Sequence, residues 1–436
     1  MIVSRKSLKL GAAMLVGTLL LTSCADDETA ESAQPTKQSS ATVGSAPSLS
    51  VLEFGGPNLL FAADSKSGKV FALEISDIPD QTKELQSAPF NLADFGSRLA
   101  DHFNVSPFDI LYHDLAVHPV TKAAFLAVAI RKDGKEKPAL VMVMSDGQIT
   151  EIDVSKLKQS SVDLENPATD NVTFWRDIPA STLAVTDLQY DDNVLYVAGL
   201  STGEFASTLR QIEYPFADQP KTSTIEMFHA AHDQNETRAP IRAMTMVTID
   251  GEKTLVAAYT CTPLVTIPAA ELKDGAHVVG KTIAELGYGN TPVEVLPITT
   301  YNMERQPENF VLVINREMSA NLIKMEDLAA ASAAPGITTA FKGLGDTLGI
   351  ENSHHPLGGV MEAAEQDAQY LLILRRDLDT AEMELISIVK GAYFRLSDFI
   401  AEYNFPDYEY GDNQKFTKQF HNMIKPSEGY PEFVIE

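Results

Sequence analysis

Two sets of residues in this chain have the types and spacing that could do chemistry. The first is the stretch Phe228–Arg242, which packs His229, His232, Asp233, Glu236, Arg238 and Arg242 close together. His229 and His232 stand three apart. A helical turn would set both imidazoles on one face, with Glu236 in reach as a third ligand, a set suited to a divalent metal. His-x-x-His is a weaker pattern than His-Glu-x-x-His, and Pro215 and Pro240 bracket the stretch as a loop. The competing expectation is a hydrogen-bonded corner in which Glu236 pairs with Arg238 or Arg242. The second set is dispersed. His113 and Asp114, Thr186 and Asp187, Arg242, Asn290 and Glu294, and His354 and His355 each stand at the head of an otherwise apolar run. Brought together, they would form a convergent site for a metal or for an anionic or polar ligand. As ordinary channel-lining groups, they would face only water.

The remaining chemistry-bearing residues are isolated. Cys261, in Tyr259-Thr-Cys-Thr-Pro263, would need a base such as His229 or His232 or the charge of Arg242 to act as a nucleophile, and a buried inert thiol is the simpler expectation. Asp377, Asp379 and Glu382 have a Ca²⁺-like spacing but read more simply as a hairpin turn. Tyr403, Phe405, Tyr408 and Tyr410 would pack on the last repeat or mark a partner surface. There is no Gly-x-Ser-x-Gly elbow, phosphate loop, dinucleotide fingerprint or Cys-x-x-Cys-His.

The elements that would position these residues are strands. Val185–Tyr190 and Val194–Leu200 flank Asp191-Asp192-Asn193, a hairpin signal of β-branched and aromatic runs about a turn. Weaker copies recur: Asn58–Ala63 with Lys69–Ile75, four strands across Ile110–Val154, Ile241–Ile249 with Thr254–Tyr259, Val293–Thr299 with Phe310–Asn315, and Gly359–Glu365 with Tyr370–Arg375 and Met383–Val389. A second phrase repeats too, an apolar strand followed by a short polar-Leu/Ile step, as in Phe71–Ile78, Thr150–Leu157, Leu264–Leu272 and Leu322–Leu328, with Tyr393–Phe399 as a further copy. Only Asn91–Asn104, with Leu92, Phe95, Leu99 and Phe103 at helical spacing, reads as an amphipathic helix, an insertion covering a sheet edge. The expected fold is all-β, a six- or seven-bladed β-propeller over residues 51–436 with one short helical insertion, and a two-sheet sandwich is the alternative. The pattern resembles the broad propeller class that includes WD-repeat, quinoprotein-like and lactonase-like proteins, although the single Trp175 excludes regular Trp-Asp pairs. Ala258–Val265 is similar to phrases in uncharacterised exported bacterial proteins.

The first 50 residues differ. Arg5, Lys6 and Lys9 precede an apolar run that ends at Leu21-Thr22-Ser23-Cys24. This resembles a bacterial lipoprotein signal peptide (1–23) whose lipidated Cys24 becomes the mature N-terminus, and Ala25 beside it implies the outer membrane. Residues 24–50, rich in Ser, Thr, Ala and acids, read as a flexible tether facing the periplasm or the cell surface. With Cys24 acylated, Cys261 has no partner for a disulfide. The 34 basic residues face 60 acidic ones, for a formal charge of −26, which becomes −29 once Arg5, Lys6 and Lys9 leave with the signal peptide. Such a surface opposes nucleic acid and anionic headgroups and leaves the lipid as the route to the membrane. The expectation is a lipoprotein that binds a small molecule or protein partner without catalysis. The alternative is a metal-assisted hydrolase or oxidoreductase that uses His113, Asp187, Arg242 and His355.

Overall fold

The computed structural model describes residues 46–76, 88–302, 304–343, 347–399 and 427–430. The strands form four four-stranded sheets and one ten-stranded sheet, with a separate small hairpin. Each four-stranded sheet is an antiparallel meander. The ten-stranded sheet holds two such meanders, Asp187–His229 and Ile241–Asn290, whose outermost strands pair in parallel at Thr224–Met227 against His277–Gly280. The first strands of the meanders neighbour one another in a closed cycle: Ile110–Val117, Val51–Gly56, Asp187–Asp191, Ile241–Ile249, Pro292–Tyr301, Val360–Glu365, and back to Ile110–Val117. That cycle is a β-propeller-like arrangement, and it excludes a two-sheet sandwich.

The second strands show why these sequences fold this way. Side chains alternate across a strand, and here both faces are buried between neighbouring sheets. Leu371 and Ile373 pack against Leu312 and Ile314, while Leu372 and Leu374 pack against Leu126 and Val128. Phe61 and Ala63 meet Leu195 and Val197, while Leu60 and Ala62 meet Phe125 and Ala127. A strand buried on both faces reads as a continuous apolar run, which is the form of Leu59–Ala63, Ala124–Ile130, Val311–Ile314 and Leu371–Leu374.

The hairpin at 187–200 forms as its sequence predicts, with Asp191 opposite Val194 and a two-residue turn. Asp192 and Asn193 both take positive φ (49° and 65°), which these residue types tolerate. Gly199 is required there, because a Cβ would lie 2.0 Å from the carbonyl oxygen of Ala184. The repeated polar-Leu/Ile phrase proves to be a helical turn after a strand, at Val154–Lys156, Ala269–Glu271 and Leu396–Phe399.

Helix α1 (Phe95–Phe103) forms where the spacing places it and buries Phe95, Leu99 and Ala100. The expectation of one helix is corrected by a second, α2 (Met325–Ala333), which extends the repeated phrase after Ala320–Lys324. It is Ala-rich with Glu326 and Asp327 in its first turn, and it buries only Leu328, so it carries no strong apolar stripe. Asp377–Glu382 is the expected turn, with Asp377 Oδ1 accepting from the Asp379 and Thr380 N–H groups.

Two sheets are composite. Asn91–Leu92 forms the outer strand of the sheet at Val360–Val389, and Lys158–Asp163 completes the one begun at Val51–Glu74. Cys24, its leader, most of the tether, Ile78, Tyr403, Phe405, Tyr408 and Tyr410 lie outside the described residues. No helix among the described residues is long and apolar enough to cross a membrane.

Candidate ligand site at the axis

The innermost strands surround a cavity of about 520 Å³. Each strand supplies a charged side chain to its wall: Glu53, Asp114, Asp187, Arg242, Glu294 and Glu362, with Glu365 as a second from Val360–Glu365. Arg316, one residue beyond the strand Pro307–Asn315, joins them. Four of these strands are irregular beside the charged residue, with register shifts at Tyr112/Asp114, Ile241/Ala243, Pro292/Glu294 and Val360/Glu362, the kind of bulge that re-aims a side chain.

Three carboxylates also tie neighbouring strands together. The Leu52 N–H donates to Asp114 Oδ2 (2.5 Å), the Tyr190 N–H to Glu53 Oε1 (2.9 Å) and the Met244 N–H to Asp187 Oδ2 (2.6 Å). The other oxygens of Asp114 and Asp187 accept from the N–H of the following residue, Leu115 and Leu188, each at 2.8 Å. Glu294 does the same with Val295. Thr186 Oγ1 donates to the Ile241 carbonyl.

The ring is electrostatically tense. Burial pushes Glu53 up to about 8 and Asp114 up to about 6. Burial, then the neighbouring carboxylates, holds Asp187 and Glu294 well above the ordinary range. Burial does the same to Glu362, reinforced by Asp114 and opposed by Arg316 and Arg242. All five line the open cavity and are nonetheless walled in by sheet, so the charged form is poorly solvated. Arg316 lies 3.7 Å from Glu362 and donates to the Met361 carbonyl. The Nε groups of Arg242 and Arg316 are buried without a hydrogen-bond partner. They are donors still available to something in the cavity. Burial and the nearby Arg316 lower Arg242.

Of the residues expected on the axis, His113, Asp114, Thr186, Asp187, Arg242 and Glu294 are there, and burial lowers the His113 imidazole. His354 and His355 are not. They sit on Ser353–His355, the outermost strand of the sheet that starts at Pro292. His354 bonds Ser319, and His355 bonds Ser353 and packs on Tyr393. The axial residue of the next sheet is Glu362 instead. Asn290 is buried at the end of an outer strand, bonded to the Leu286 and Gly287 carbonyls. Glu53, Glu362 and Arg316 were not expected. Glu53 and Glu362 carry the same signal as Asp114, an acid inside an apolar strand head, whereas Arg316 shows none.

The stretch around His229 lies elsewhere and is not helical. His229 ends the strand Lys221–His229, and Gln234–Glu236 folds back to pair with it. Glu236 pairs with neither Arg238 nor Arg242. Its Oε1 lies 3.1 Å from His229 Nδ1 and 2.5 Å from His232 Nδ1. Arg242 points to the axis. Cys261, half-buried, begins the strand Cys261–Pro268 in a positive-φ conformation (87°).

No family model and no curated protein matches this chain. Among solved structures it is similar to the β-propeller domain of Myceliophteria thermophila Cps50 (Swd1), at 12% identity and TM-score 0.28, over 78% of this chain and 84% of that one. It is also similar to selenomethionine-substituted virginiamycin B lyase from Staphylococcus aureus, at 8% identity and TM-score 0.29, over 80% and 97%. The propeller arrangement rests on the chain's own strand order and register.

Proposed function

We propose that the chain is an exported lipoprotein, anchored through Cys24 at the outer membrane, whose six-bladed propeller binds a small polar ligand or partner side chain at its axis without catalysis. The observation that carries this reading is the axial ring: the carboxylates of Glu53, Asp114, Asp187, Glu294 and Glu362 and two arginines around one cavity, with exposed Glu365 also on its wall. Asp114 and Asp187 have both oxygens engaged by backbone N–H groups. Such carboxylates act as fixed acceptors rather than bases free to take a substrate proton. The unpartnered Nε groups of Arg242 and Arg316 supply donors in the same space. A ligand that brings a cationic group for the carboxylates and an acceptor for the arginines satisfies both, which describes a zwitterion. The catalytic alternative also loses His355.

A small hairpin, Thr173–Phe174 with Ile178–Pro179, supports the partner side of this reading. It carries Trp175 (82% exposed), Phe174 and Ile178, with exposed Val172 just before it, and it leads to Thr182 on the cavity wall. Exposed aromatics grouped beside a cavity are the usual anchors of a contact surface.

A melting-temperature panel of zwitterions, polyamines and neutral polyols on the full chain in detergent tests the axial site. Zwitterions should raise Tm in the wild type and not in Arg242→Ala or Glu362→Gln. Equal shifts in all three proteins, or none with any compound, would sink the reading. Labelling with a radioactive fatty acid, lost in Cys24→Ser, tests the anchor.

A further inference from the structure

We propose that His229, His232 and Glu236 form a binding site for a zinc-like divalent ion at the outer rim of the ring, with Glu285 orienting His229 from behind. The site is separate from the axial cavity. His229 ends the outermost strand of the meander that starts at Asp187, and Glu285 lies on His277–Asn290, the strand that pairs with it from the next meander.

The geometry comes first. One ligand atom from each of the three residues lies within 4.8 Å of the others. His229 Nδ1 is 3.1 Å from Glu236 Oε1, close to the edge of a tetrahedron built on metal–ligand bonds of about 2.0–2.1 Å. His232 Nδ1, at 2.5 Å from the same oxygen, must open by under an ångström, and its side chain is half exposed and free to do so. Two imidazoles and one carboxylate suit zinc better than calcium or magnesium. The half-exposed His232 opens the cluster to solvent on its side.

The second observation is independent of the cluster. Glu285 is 1% exposed, and its Oε1 accepts from the Ala230 N–H at 2.6 Å. Its Oε2 is buried without a hydrogen-bond partner and lies 3.8 Å from His229 Nε2. Metal on Nδ1 would leave the ring proton on Nε2, the nitrogen 3.8 Å from Glu285 Oε2. Metal-ligating histidines regularly donate their other N–H to a carboxylate in this way.

The test is a zinc titration of the full chain in detergent, stripped with chelator, against a chromophoric competitor. The wild type should take up one equivalent. Exposed His232→Ala should lower affinity more than about 100-fold, and Glu285→Gln by about 10–100-fold with the stoichiometry kept, as befits a group behind the ligand. Co²⁺ in place of zinc should give a tetrahedral absorption band in the wild type. The proposal fails if the wild type takes up no zinc, if His232→Ala binds as well as wild type, or if His354→Ala, remote from the cluster, causes the same loss.

Discussion

The axial ring and the His229 corner are both crowded with polar side chains, yet they are built oppositely. On the axis, Glu53, Asp114 and Asp187 are held by backbone N–H groups of neighbouring strands, so their positions follow from the sheet framework. At the rim, Glu236 is held by two imidazoles on a short reversal. A group fixed by the framework cannot adapt, and removing it damages the fold. A group fixed by other side chains can rearrange around an ion, and removing it damages binding first.

Mutations can break this contrast, and the largest effect belongs to the axis. Asp187→Ala strips the Leu188 and Met244 N–H groups of their acceptor. Each unpaired buried donor costs roughly 1–3 kcal/mol, so a loss of about 2–6 kcal/mol should appear in chemical denaturation. A loss below about 0.5 kcal/mol would show that the ring is not a framework element.

The next effect is pH dependence. Glu53 is raised in the folded protein to about 8 from its ordinary 4.5. Between these values the folded state holds a proton that the unfolded state has released, so stability must fall as pH rises through that window. The contribution is fully present below about 4.5 and lost above about 8. Glu53→Gln, which keeps an acceptor for the Tyr190 N–H, should flatten part of that slope. An unchanged slope would mean that Glu53 is ionised in the fold.

Smaller still, Glu236→Gln should cost about 1 kcal/mol without metal, the scale of an ordinary side-chain hydrogen bond, while abolishing the stabilisation that zinc gives the wild type. The smallest effect belongs to His354→Ala, on an exposed outer strand, which should stay within about 0.5 kcal/mol and leave both sites intact. A large effect there would put His354 back among the functional residues.

How much of this was legible in the sequence follows from the range of the forces involved. The propeller was readable because strands buried on both faces are conspicuous apolar runs and because Asp192-Asn193 makes a local turn. Asp114, Asp187, Arg242 and Glu294 were readable as polar residues opening such strands. Glu53 was missed because the first hairpin signal begins at Asn58, which leaves Val51–Gly56 inside the propeller region without a strand of its own. His354 and His355 drew the reading away from Glu362 because nothing local shows that Ser353–His355 pairs back onto Ala320–Leu322. Arg316 reaches Glu362 only through sheet register. At the rim, no helical turn is needed, since the hairpin brings residues 229, 232 and 236 together.

The two composite sheets set a condition on how the molecule is made. Asn91 and Leu92 pair with Leu385 and Ile386, and until those residues exist the last sheet has no outer strand. Val51–Glu74 likewise waits for Lys158–Asp163. A growing chain therefore holds the apolar run Leu59–Ala63 without a finished sheet until residue 163 is made, a state prone to aggregation. Ring closure comes late and nearly all at once, so a chain cut before residue 360 should be insoluble rather than a smaller propeller.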